Sequence, residues 1–459
     1  MYNTSRMQTP DDAEAPYSFI FPIGYSSASD CGYCRGTSRA GKRKRYSYYA
    51  TTKSLSTHLY QKLVDRYWRR SGSLLYRPNP KNSCCPHYTL RLDSTEFKPT
   101  KDQRQTVNRF NKYIIGPEYT YAAARLYPRT RQEVRKRRNE FDLVERIHEP
   151  EFKMLKKPPG PDHRFTVTLE PDEFTEEKYL VFENYQRIVH REGPDKISPE
   201  GFKRFLCNSP LKRETIEGED GSERKVGTYH QCYWLDGKLV AVGVLDLLPD
   251  AVSSVYFFYH ESIHSHHPGK LSAMREIGLA REGGYRWWYA GFYIHSCPKM
   301  KYKMDFKPQS VLDPETLTWD KMDKEALAVF DTRHYVSLSR ERQRKESGGH
   351  APPKIFEDHF VQPESDEEAD EEEGDFLLDS SMPGISSLDE MKQVNMDQLA
   401  IVLDGAPGYF LASDLVNWAE KEITDRRSIK SMMAELVAAM GTDVMDEICV
   451  DLRRRTRML

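Results

Sequence analysis

Four cysteines near the start of the sequence form two short-range pairs. Cys31 and Cys34 have the C-x-x-C spacing, and the adjacent Cys84 and Cys85 follow about fifty residues later. Two such pairs can close a tetrahedron of four thiolates around zinc, or they can hold an iron–sulfur cluster. Because zinc ligands are usually separated by spacers, His87 could replace one of the adjacent pair. We therefore predict a zinc or iron–sulfur centre at these cysteines, the alternative being four ordinary thiols.

Positive charges interleaved with tyrosines follow the first cysteine pair. This pattern is typical of nucleic-acid contacts, because phosphates attract the cations and aromatic rings stack on exposed bases. For the first four cations, a solvated loop that doubles as a nuclear import signal is the alternative. The residues predicted to contact RNA are Lys42, Arg43, Lys44, Arg45, Arg69 and Arg70.

A carboxylate interrupts the apolar run LVAVGVLDLL. This residue, Asp246, needs a cationic or hydrogen-bonding partner, because an unpaired charge in a buried strand is costly. The partner is either an internal Arg or Lys or a positively charged group of a ligand. A guanidinium would suit the second case, since it pairs with a carboxylate through two hydrogen bonds.

Further polar residues lie on the strands predicted to follow Asp246. Alternation places Ser254 and Tyr256 on one face of the next strand, and His295 ends a later one. We expect His295 to be the proton acceptor, since imidazole titrates near neutral pH, with the other two beside it. Structural hydrogen bonding is the alternative for all three. Three cations after the last strand are predicted to bind substrate, unless they form an ordinary charged loop: Lys299, Lys301 and Lys303.

These residues must be positioned by a succession of strands and one helix. Asp236–Gly237 is a strong hairpin signal between two apolar runs. The order favours a mixed α+β or α/β fold with an acetyltransferase-like (GNAT-type) central sheet and flanking helices. Two strands of such a sheet splay apart near a helix N-terminus that suits an anion. The predicted elements are strands at Thr228–Trp234, Leu239–Leu248 and Val252–Tyr259, a helix at Leu271–Arg281 and a strand at Trp287–Ile294.

Composition limits the classes of protein to consider. The 459 residues carry a net charge of −2, but Arg35–Arg70 is strongly basic and Glu364–Asp375 strongly acidic. This asymmetry favours a nucleic-acid partner. No apolar run reaches the length of a membrane span, and the first residues lack the apolar core of a signal peptide. We therefore expect a cytoplasmic or nuclear protein whose thiols are free or metal-bound rather than paired in disulfides.

Charged and Pro/Gly-rich stretches divide the sequence. In its first part, apolar periodicity predicts helices at Ser56–Arg70 and Lys98–Ile115. The predicted segments are a disordered start (1–16), an N-terminal cysteine domain with the metal or cluster (17–115), a charged linker (116–160), the GNAT-like domain (161–340), an acidic disordered linker (341–395) and a C-terminal helical extension (396–459).

Whole phrases of the sequence resemble one family. The central domain contains VAVGVLDLLPDAVSSVYFFY and GFYIHSCPKMKYK, preceded by FTEEKYLVFENYQ and ISPEGFKRFLCNSPL, and the N-terminal part contains CGYC and YRPNPKNSCCPHYTLR. Over roughly residues 19–115 and 163–320, the sequence resembles the arginyl-tRNA–protein transferases. The stretch HSHHPGKL is the least typical of that family.

The resemblance implies transfer of arginine from Arg-tRNA to the N-terminal amine of proteins that begin with Asp, Glu or oxidised Cys. Such arginylation marks proteins for degradation in the N-degron pathway, which implies ubiquitin-ligase machinery as a further partner. Asp246 would then bind the arginyl guanidinium, and the cysteines would hold an iron–sulfur cluster or zinc. The reaction is the aminolysis of an ester, for which positioning and one proton acceptor suffice. The alternatives are an acetyl-coenzyme A-dependent N-acyltransferase and a non-catalytic metal-cluster RNA-binding protein.

Overall fold

The computed structural model describes residues 17–28, 31–34, 44–218, 221–347 and 376–453. Several predicted features therefore lie outside the described residues, namely the start of the chain (1–16), Lys42, Arg43 and the acidic run Glu364–Asp375. Within the described ranges, no helix has the length and apolar character that crossing a bilayer requires.

The strands and helices are numbered here in chain order. The strands are β1 Ser18–Ala28, β2 Arg45–Ser54, β3 Arg69–Ser71, β4 Leu74–Pro78, β5 Tyr88–Asp93, β6 Phe165–Pro171, β7 Glu214–Glu217, β8 Glu223–Leu235, β9 Lys238–Leu248, β10 Ala251–Tyr259, β11 Trp287–Tyr293, β12 Ser310–Leu312, β13 Trp319–Lys321, β14 Ala400–Leu403, β15 Phe410–Leu411 and β16 Ile448–Leu452. The helices are α1 Thr57–Val64, α2 Lys101–Ile115, α3 Pro117–Leu126, α4 Arg131–Asn139, α5 Leu143–His148, α6 Glu176–Tyr185, α7 Pro199–Phe202, α8 Pro268–Glu282, α9 Lys324–Thr332, α10 Leu338–Glu346, α11 Leu388–Met391 and α12 Ile429–Met440.

Two mixed sheets contain these strands. One has the order β15-β14-β16-β1-β2-β4-β3, and the other has the order β13-β12-β5-β11-β10-β9-β8-β6, with β7 paired to β8. On the second sheet, Ile277 of α8 lies in the same buried apolar cluster as Leu245 of β9, and Phe182 of α6 lies in the same cluster as Val244 on the opposite face. Helices therefore cover both faces of β9, which explains why its sequence is apolar at nearly every position.

The β8–β9 hairpin turns on Asp236 and Gly237, as predicted. Their φ angles are 50° and 78°, and two-residue hairpin turns need this left-handed conformation. The resulting register places Asp246 opposite Thr228. The other predicted core elements are also confirmed, since each corresponds to β8, β9, β10, α8 or β11.

β10 and β11 are neighbours over only three residues each. Their parallel ladder joins Ala251–Ser253 to Trp287–Tyr289 and then ends. Directly after it, a β-bulge interrupts β10 between Ser254 and Tyr256, and Gly291 of β11 adopts a φ of 74°. Bulges and glycines of this kind bend strands away from their neighbours. A cleft therefore opens between β10 and β11.

The predicted helix over Ser56–Arg70 is too long. α1 ends at Val64, and Tyr67 then has a φ of 69°, which reverses the chain. Arg69 therefore begins β3, which pairs with β4. Because side chains alternate along a strand, Arg69 and Arg70 point to opposite faces.

The segment 116–160 is more ordered than the predicted linker. It contains α3, α4 and α5, and α4 begins with a capping box between Thr130 and Glu133. α5 packs on α8 through the buried Leu143 and Ile147. The preceding domain boundary is also not a structural one, because β5 lies beside β11 in the second sheet.

The C-terminal part is not the helical extension that the sequence predicts. α12 is present, but β16 pairs in parallel with both β14 and β1. These strands therefore complete the sheet that the N-terminal strands begin. The runs AIVL and ICVDL are short and apolar, and periodicity cannot distinguish such runs from buried helix.

Candidate metal centre and active-site cleft

The four predicted cysteine ligands converge. The Sγ atoms of Cys31, Cys34, Cys84 and Cys85 all lie within 4.8 Å of one another, and those of Cys34 and Cys84 are 4.0 Å apart. Thiolates that bind zinc tetrahedrally at about 2.3 Å lie about 3.8 Å from each other. The donor set therefore fits a metal ion in both chemistry and size.

Local hydrogen bonds shape the loop that carries the second cysteine pair. The Asn79 side-chain oxygen accepts from the backbone N–H groups of Lys81 at 3.1 Å and Asn82 at 3.2 Å, which is the way Asn tightens a turn. The Cys84 N–H then donates to the Lys44 carbonyl at 3.1 Å. The Pro/Asn sequence before Cys84 thus turns the chain so that the second pair meets the first.

The thiols differ in acidity. Burial would raise the pKa of Cys31, but hydrogen bonds from the backbone of Cys34 and Tyr33 hold it below the ordinary value. Burial and a hydrogen bond with Cys31 raise the pKa of Cys84 to about 12, and burial likewise raises that of Cys85. Packed thiols thus resist forming several thiolates at once, and a bound divalent cation would remove that resistance.

The cysteine cluster packs against the end of β11. The four cysteines form one buried cluster with Ile294 and Cys297. The loops that carry the cysteines also deliver two rings: His87 meets Phe292 edge-on with ring centroids 5.2 Å apart, and Tyr33 meets His87 at 5.4 Å. The candidate metal centre and the cleft beside β11 therefore form one continuous site.

Lys303 lies in the cleft where β10 and β11 part. Its Nζ donates to the Phe292 carbonyl at 2.7 Å. A Cβ placed on Gly291 would lie 3.6 Å from this Nζ and 3.5 Å from the Ser254 carbonyl oxygen, so these groups surround the same point. Burial lowers the pKa of Lys303 to about 8, and the Arg69 guanidinium acts in the same direction.

A buried carboxylate that the sequence reading missed faces the cleft from α8. Glu276 is 2% exposed, and it accepts from the Trp288 Nε1 at 2.8 Å and from the Ser272 hydroxyl at 2.7 Å. It is also hydrogen-bonded to Ser254, and burial raises its pKa. A signal was present, because Glu276 falls on the stripe of α8 that holds the buried Ala273, Ile277 and Ala280.

The bulge in β10 separates two residues predicted to share a face. Ser254 points toward α8, where it meets Glu276. Tyr256 points to the opposite face, where its ring contacts Tyr185 and its hydroxyl accepts from the Gln186 Nε2 at 3.3 Å. Alternation was wrong here because a bulge inserts one extra residue. Only Ser254 of the two therefore adjoins Glu276.

His295 has partners of its own away from these residues. Its Nδ1 lies 2.8 Å from the Tyr293 hydroxyl, and its Nε2 lies 2.9 Å from the Asp331 carboxylate. Its ring also packs near Phe330 of α9. The contacts of His295 do not include Ser254 or Tyr256, so its role as proton acceptor stays a prediction.

Asp246 finds its partner inside the fold. Its carboxylate accepts from the Arg70 Nε at 2.8 Å and Nη2 at 2.5 Å, and from the Thr228 hydroxyl at 2.7 Å. The two charged side chains are only 0% and 2% exposed. This corrects two predicted roles: Asp246 presents no open carboxylate to an arginyl group, and Arg70 presents no exposed cation to RNA, because each satisfies the other.

The remaining predicted cations fall into an exposed and a buried set. Arg69 is 7% exposed, and its guanidinium lies over the Phe292 ring, 4.9 Å from the centroid. Arg45 is partly buried. Burial lowers the pKa of His87 to about 4, and the positive charge of Arg45 acts in the same direction. Both arginines therefore lie inside the protein near Phe292 and His87 and not on its exposed surface. The exposed cations are Lys44, Lys299 and Lys301.

Two protein-family models match the parts of the sequence that form the cysteine cluster and the cleft. Residues 29–105 match the family model "Arginine-tRNA-protein transferase, N terminus", and residues 177–313 match the model for its C terminus. The first match contains the cysteines, and the second contains β8–β11 and α8. The Cys-bearing half and the cleft-bearing half therefore both match one family.

Curated relatives point the same way. The chain is 30% identical over 322 residues to arginyl-tRNA–protein transferase 1 of Saccharomyces cerevisiae, over 62% of this chain and 59% of that protein. It is 27% identical over 420 residues to the Drosophila melanogaster protein of the same name, over 69% of this chain and 85% of the relative. It is also 26% identical to the aspartate/glutamate leucyltransferase of Halorhodospira halophila, over 62% of this chain and 91% of that protein. The chain thus spans less than two thirds of the yeast relative but most of the others, and both of its matched regions are similar to the arginyl-tRNA–protein transferases.

Proposed function

We propose that this protein transfers arginine from Arg-tRNA to the N-terminal amine of proteins that begin with Asp, Glu or oxidised Cys. The observation that carries the proposal is that the two matched regions meet in one site, where the cysteine loops pack on β11. The bacterial relative that is named for aspartate and glutamate supports acidic acceptors.

The reaction joins an amine to an ester carbonyl. A C–N bond forms to the arginyl carbonyl carbon, the C–O bond to the tRNA ribose breaks, and a proton passes from the nitrogen to the ribose oxygen. Lys303 is the residue best placed to carry this proton, because it lies in the cleft and burial brings its pKa to about 8. Ser254 and Glu276 would orient groups on the α8 side of the cleft. Alignment of the two substrates supplies much of the remaining acceleration.

The cleft-bearing sheet is assigned to the GNAT type within this proposal. Its support is the antiparallel run β8–β10, the short parallel ladder to β11 and the helix α8 between those two strands. The acyl donor would enter where β10 and β11 part. The exposed Lys299 and Lys301 follow β11 directly and would hold the acceptor stem of the tRNA.

The tRNA contact has a direct test in salt dependence. Replacing Lys299 and Lys301 by Gln should weaken tRNA binding and reduce the slope of log K against log salt by roughly 0.7–0.9 per lost contact, because fewer counterions are released. The same experiment on Lys42, Arg43 and Lys44 examines the basic run after the first cysteine pair. An unchanged slope would remove the tested patch from the interface.

We propose zinc as the ion at the cysteine centre. Four sulfurs within 4.8 Å of one another suit one tetrahedral ion, whereas an iron–sulfur cluster places several atoms between its thiolates and spreads them. Zinc would fix the two loops and hence His87 and Tyr33. Protein purified without oxygen should contain about one zinc per chain and no acid-labile sulfide. Stoichiometric iron with sulfide would establish a cluster instead, and neither metal would exclude both.

One assay separates the candidate functions. The protein would be incubated with tRNA charged with labelled arginine and with peptides that begin with Asp, Glu or Gly, and in parallel with labelled acetyl-coenzyme A. Label from arginine should appear only in the acidic peptides. Acetyl transfer would favour an acetyl-coenzyme A-dependent N-acyltransferase, and tRNA binding without any transfer would favour a non-catalytic RNA-binding protein. A cytoplasmic or nuclear location and delivery of products to ubiquitin ligases extend the proposal from the resemblance alone.

A further inference from the structure

Arg69 has an unused hydrogen-bonding edge although it is almost fully buried. Its Nη1 donates to the carbonyl oxygens of Val64 at 3.1 Å and Trp68 at 2.7 Å. Its Nε and Nη2 are buried and have no partner among the described residues. Buried donors without partners are rare in folded proteins because they cost free energy. The Nε–Nη2 edge is also one that pairs with both oxygens of a carboxylate.

Other unpaired polar groups lie close to Arg69. The Arg45 Nε, a donor, and the His87 Nδ1, which donates or accepts according to the tautomer, are also buried without a partner in the described part of the chain. His87 and Arg69 both contact the Phe292 ring, and the Lys303 Nζ is bound to the carbonyl of Phe292. We call Arg45, Arg69, His87 and Phe292 the Phe292 subsite. It combines unused donors, positive charge and an aromatic wall, which suits a small anion.

The nearby carboxylates do not fill this need. Asp65 interacts electrostatically with Arg69, but one of its oxygens accepts from the Tyr289 hydroxyl at 2.6 Å and the other lies 3.8 Å from the Arg91 Nη1. Glu276 is the acid that acts on Lys303, but its oxygens are taken by Trp288 and Ser272. Asp246 is paired with Arg70, whose side chain leaves β3 on the opposite face from Arg69. The unused edge of Arg69 is therefore left for a group from outside the described fold.

We propose that the Phe292 subsite binds the side-chain carboxylate of the acceptor's first residue, with Arg69 as the specificity-determining residue. This inference rests on the proposed function and names how the acceptor is selected. A carboxylate is favoured over an RNA phosphate because the buried edge of Arg69 is planar and two-pronged, and a side chain can enter end-on. A phosphodiester would have to bring both of its chain attachments into the buried site. The sulfinate of an oxidised Cys has a similar pair of oxygens.

The test compares acceptors that differ only in charge. Transfer rates (kcat/KM) would be measured for peptides that begin with Asp, Asn, Glu and Gln, using wild-type protein and the variants Arg69→Gln and Arg69→Lys. Wild type should prefer Asp to Asn by about 10- to 100-fold, as expected for losing a charge-assisted pair. Arg69→Gln should bring the ratio close to one, and Arg69→Lys should recover only part of it, because lysine lacks the fork. Lys321→Gln removes an exposed charge on β13 and should keep the wild-type ratio.

The ratio is informative even if a variant folds poorly, because a smaller active fraction lowers both rates equally. An unchanged Asp/Asn ratio in Arg69→Gln would overturn the inference. A higher KM for Arg-tRNA with an unchanged ratio would assign the subsite to a phosphate instead. Direct binding of fluorescent Asp and Asn peptides separates this inference from the proposed function. If wild type transfers no arginine but binds the Asp peptide through Arg69, the function fails and the subsite stands. If it binds both peptides equally and transfers neither, both fail.

Discussion

At the scale of single residues, the site is decided by which charges the fold has already neutralised. Arg69 and Arg70 are adjacent in sequence, yet Arg70 is paired with Asp246 and Arg69 keeps two donors unpaired. Composition and spacing make the two arginines equivalent, so the sequence could not separate them. The need of Asp246 for a cationic partner was foreseeable from its apolar surroundings, whereas the identity of that partner was not, because Arg70 lies 176 residues away in the chain.

Replacing Asp246 tests the structural role of this pair. Asp246→Asn should destabilise the protein by about 3–5 kcal/mol, because it leaves the buried Arg70 cation without its counter-charge. Urea denaturation measures the change. The double variant Asp246→Leu with Arg70→Met should recover part of the loss, since an apolar pair needs no partner. If the Asp246→Asn variant has normal stability but no longer prefers arginyl-tRNA to a neutral aminoacyl-tRNA, Asp246 binds the arginyl group as the sequence predicts.

Lys303 should govern the alkaline side of the reaction. Because its pKa is lowered to about 8, the proton-accepting form grows as pH rises through that value. Wild-type kcat should therefore rise between pH 7 and 9. Lys303→Met should lose roughly 10²–10⁴ in rate together with this rise, as measured in single-turnover assays. A rise that persists in the variant would belong to the acceptor's own amine, which titrates in the same range.

At the scale of elements, turn residues and apolar patterns in the sequence predicted the strands and the helix that depend mainly on local interactions. The Asp236–Gly237 turn and the apolar runs beside it gave β8 to β11 and α8 in their observed order. The errors occurred where one residue changes the geometry. Tyr67 ends the predicted helix with a positive φ, and the bulge after Ser254 reverses the face of Tyr256. Tertiary packing selects such features, so propensity and alternation do not reveal them.

The contact of α5 with α8 should depend on pH. His148 lies 2.7 Å from Glu151 and 3.0 Å from Glu282, and these hydrogen bonds raise its pKa to about 9. Because folding raises the pKa of His148, the charged ring stabilises the folded state fully below the unfolded pKa near 6.5. This stabilisation is lost as pH rises through the folded pKa of about 9. His148→Gln should therefore lower the free energy of unfolding more at pH 6 than at pH 10, as measured by urea denaturation. Equal losses at both pH values would show that packing, not charge, accounts for the effect.

At the scale of the whole molecule, the C-terminal part is built into the first sheet. β16 lies between β14 and β1, the Trp68 Nε1 donates to the Ala439 carbonyl at 2.9 Å, and α12 supplies Leu436 and Val437 to the same core. The sequence reading placed this part in an appended bundle because strand pairing between distant segments leaves no mark in either segment alone.

Two deletions distinguish an integral segment from an appended one. Removing residues 376–453 should give insoluble protein or a state that binds hydrophobic dyes, because it uncovers the core around Trp68 and one edge of β1. Removing only Glu364–Asp375, outside the described residues, should leave the melting temperature and arginine transfer unchanged. Soluble yield, dye fluorescence and thermal unfolding provide the comparison. If the protein without residues 376–453 is stable and active, this part of the chain is an appended segment and not an integral part of the sheet.

The parallel pairing of β1 with β16 also constrains how the protein can be made. Ser18 meets Ile448 across this ladder, so β1 must wait for a strand that is synthesised more than four hundred residues later. β2 can cover one side of β1 early, while the other side stays open to strands of neighbouring nascent chains. Closure over such a sequence separation is slow. We therefore expect production in cells to depend on chaperones, and refolding from denaturant to fail increasingly as protein concentration rises.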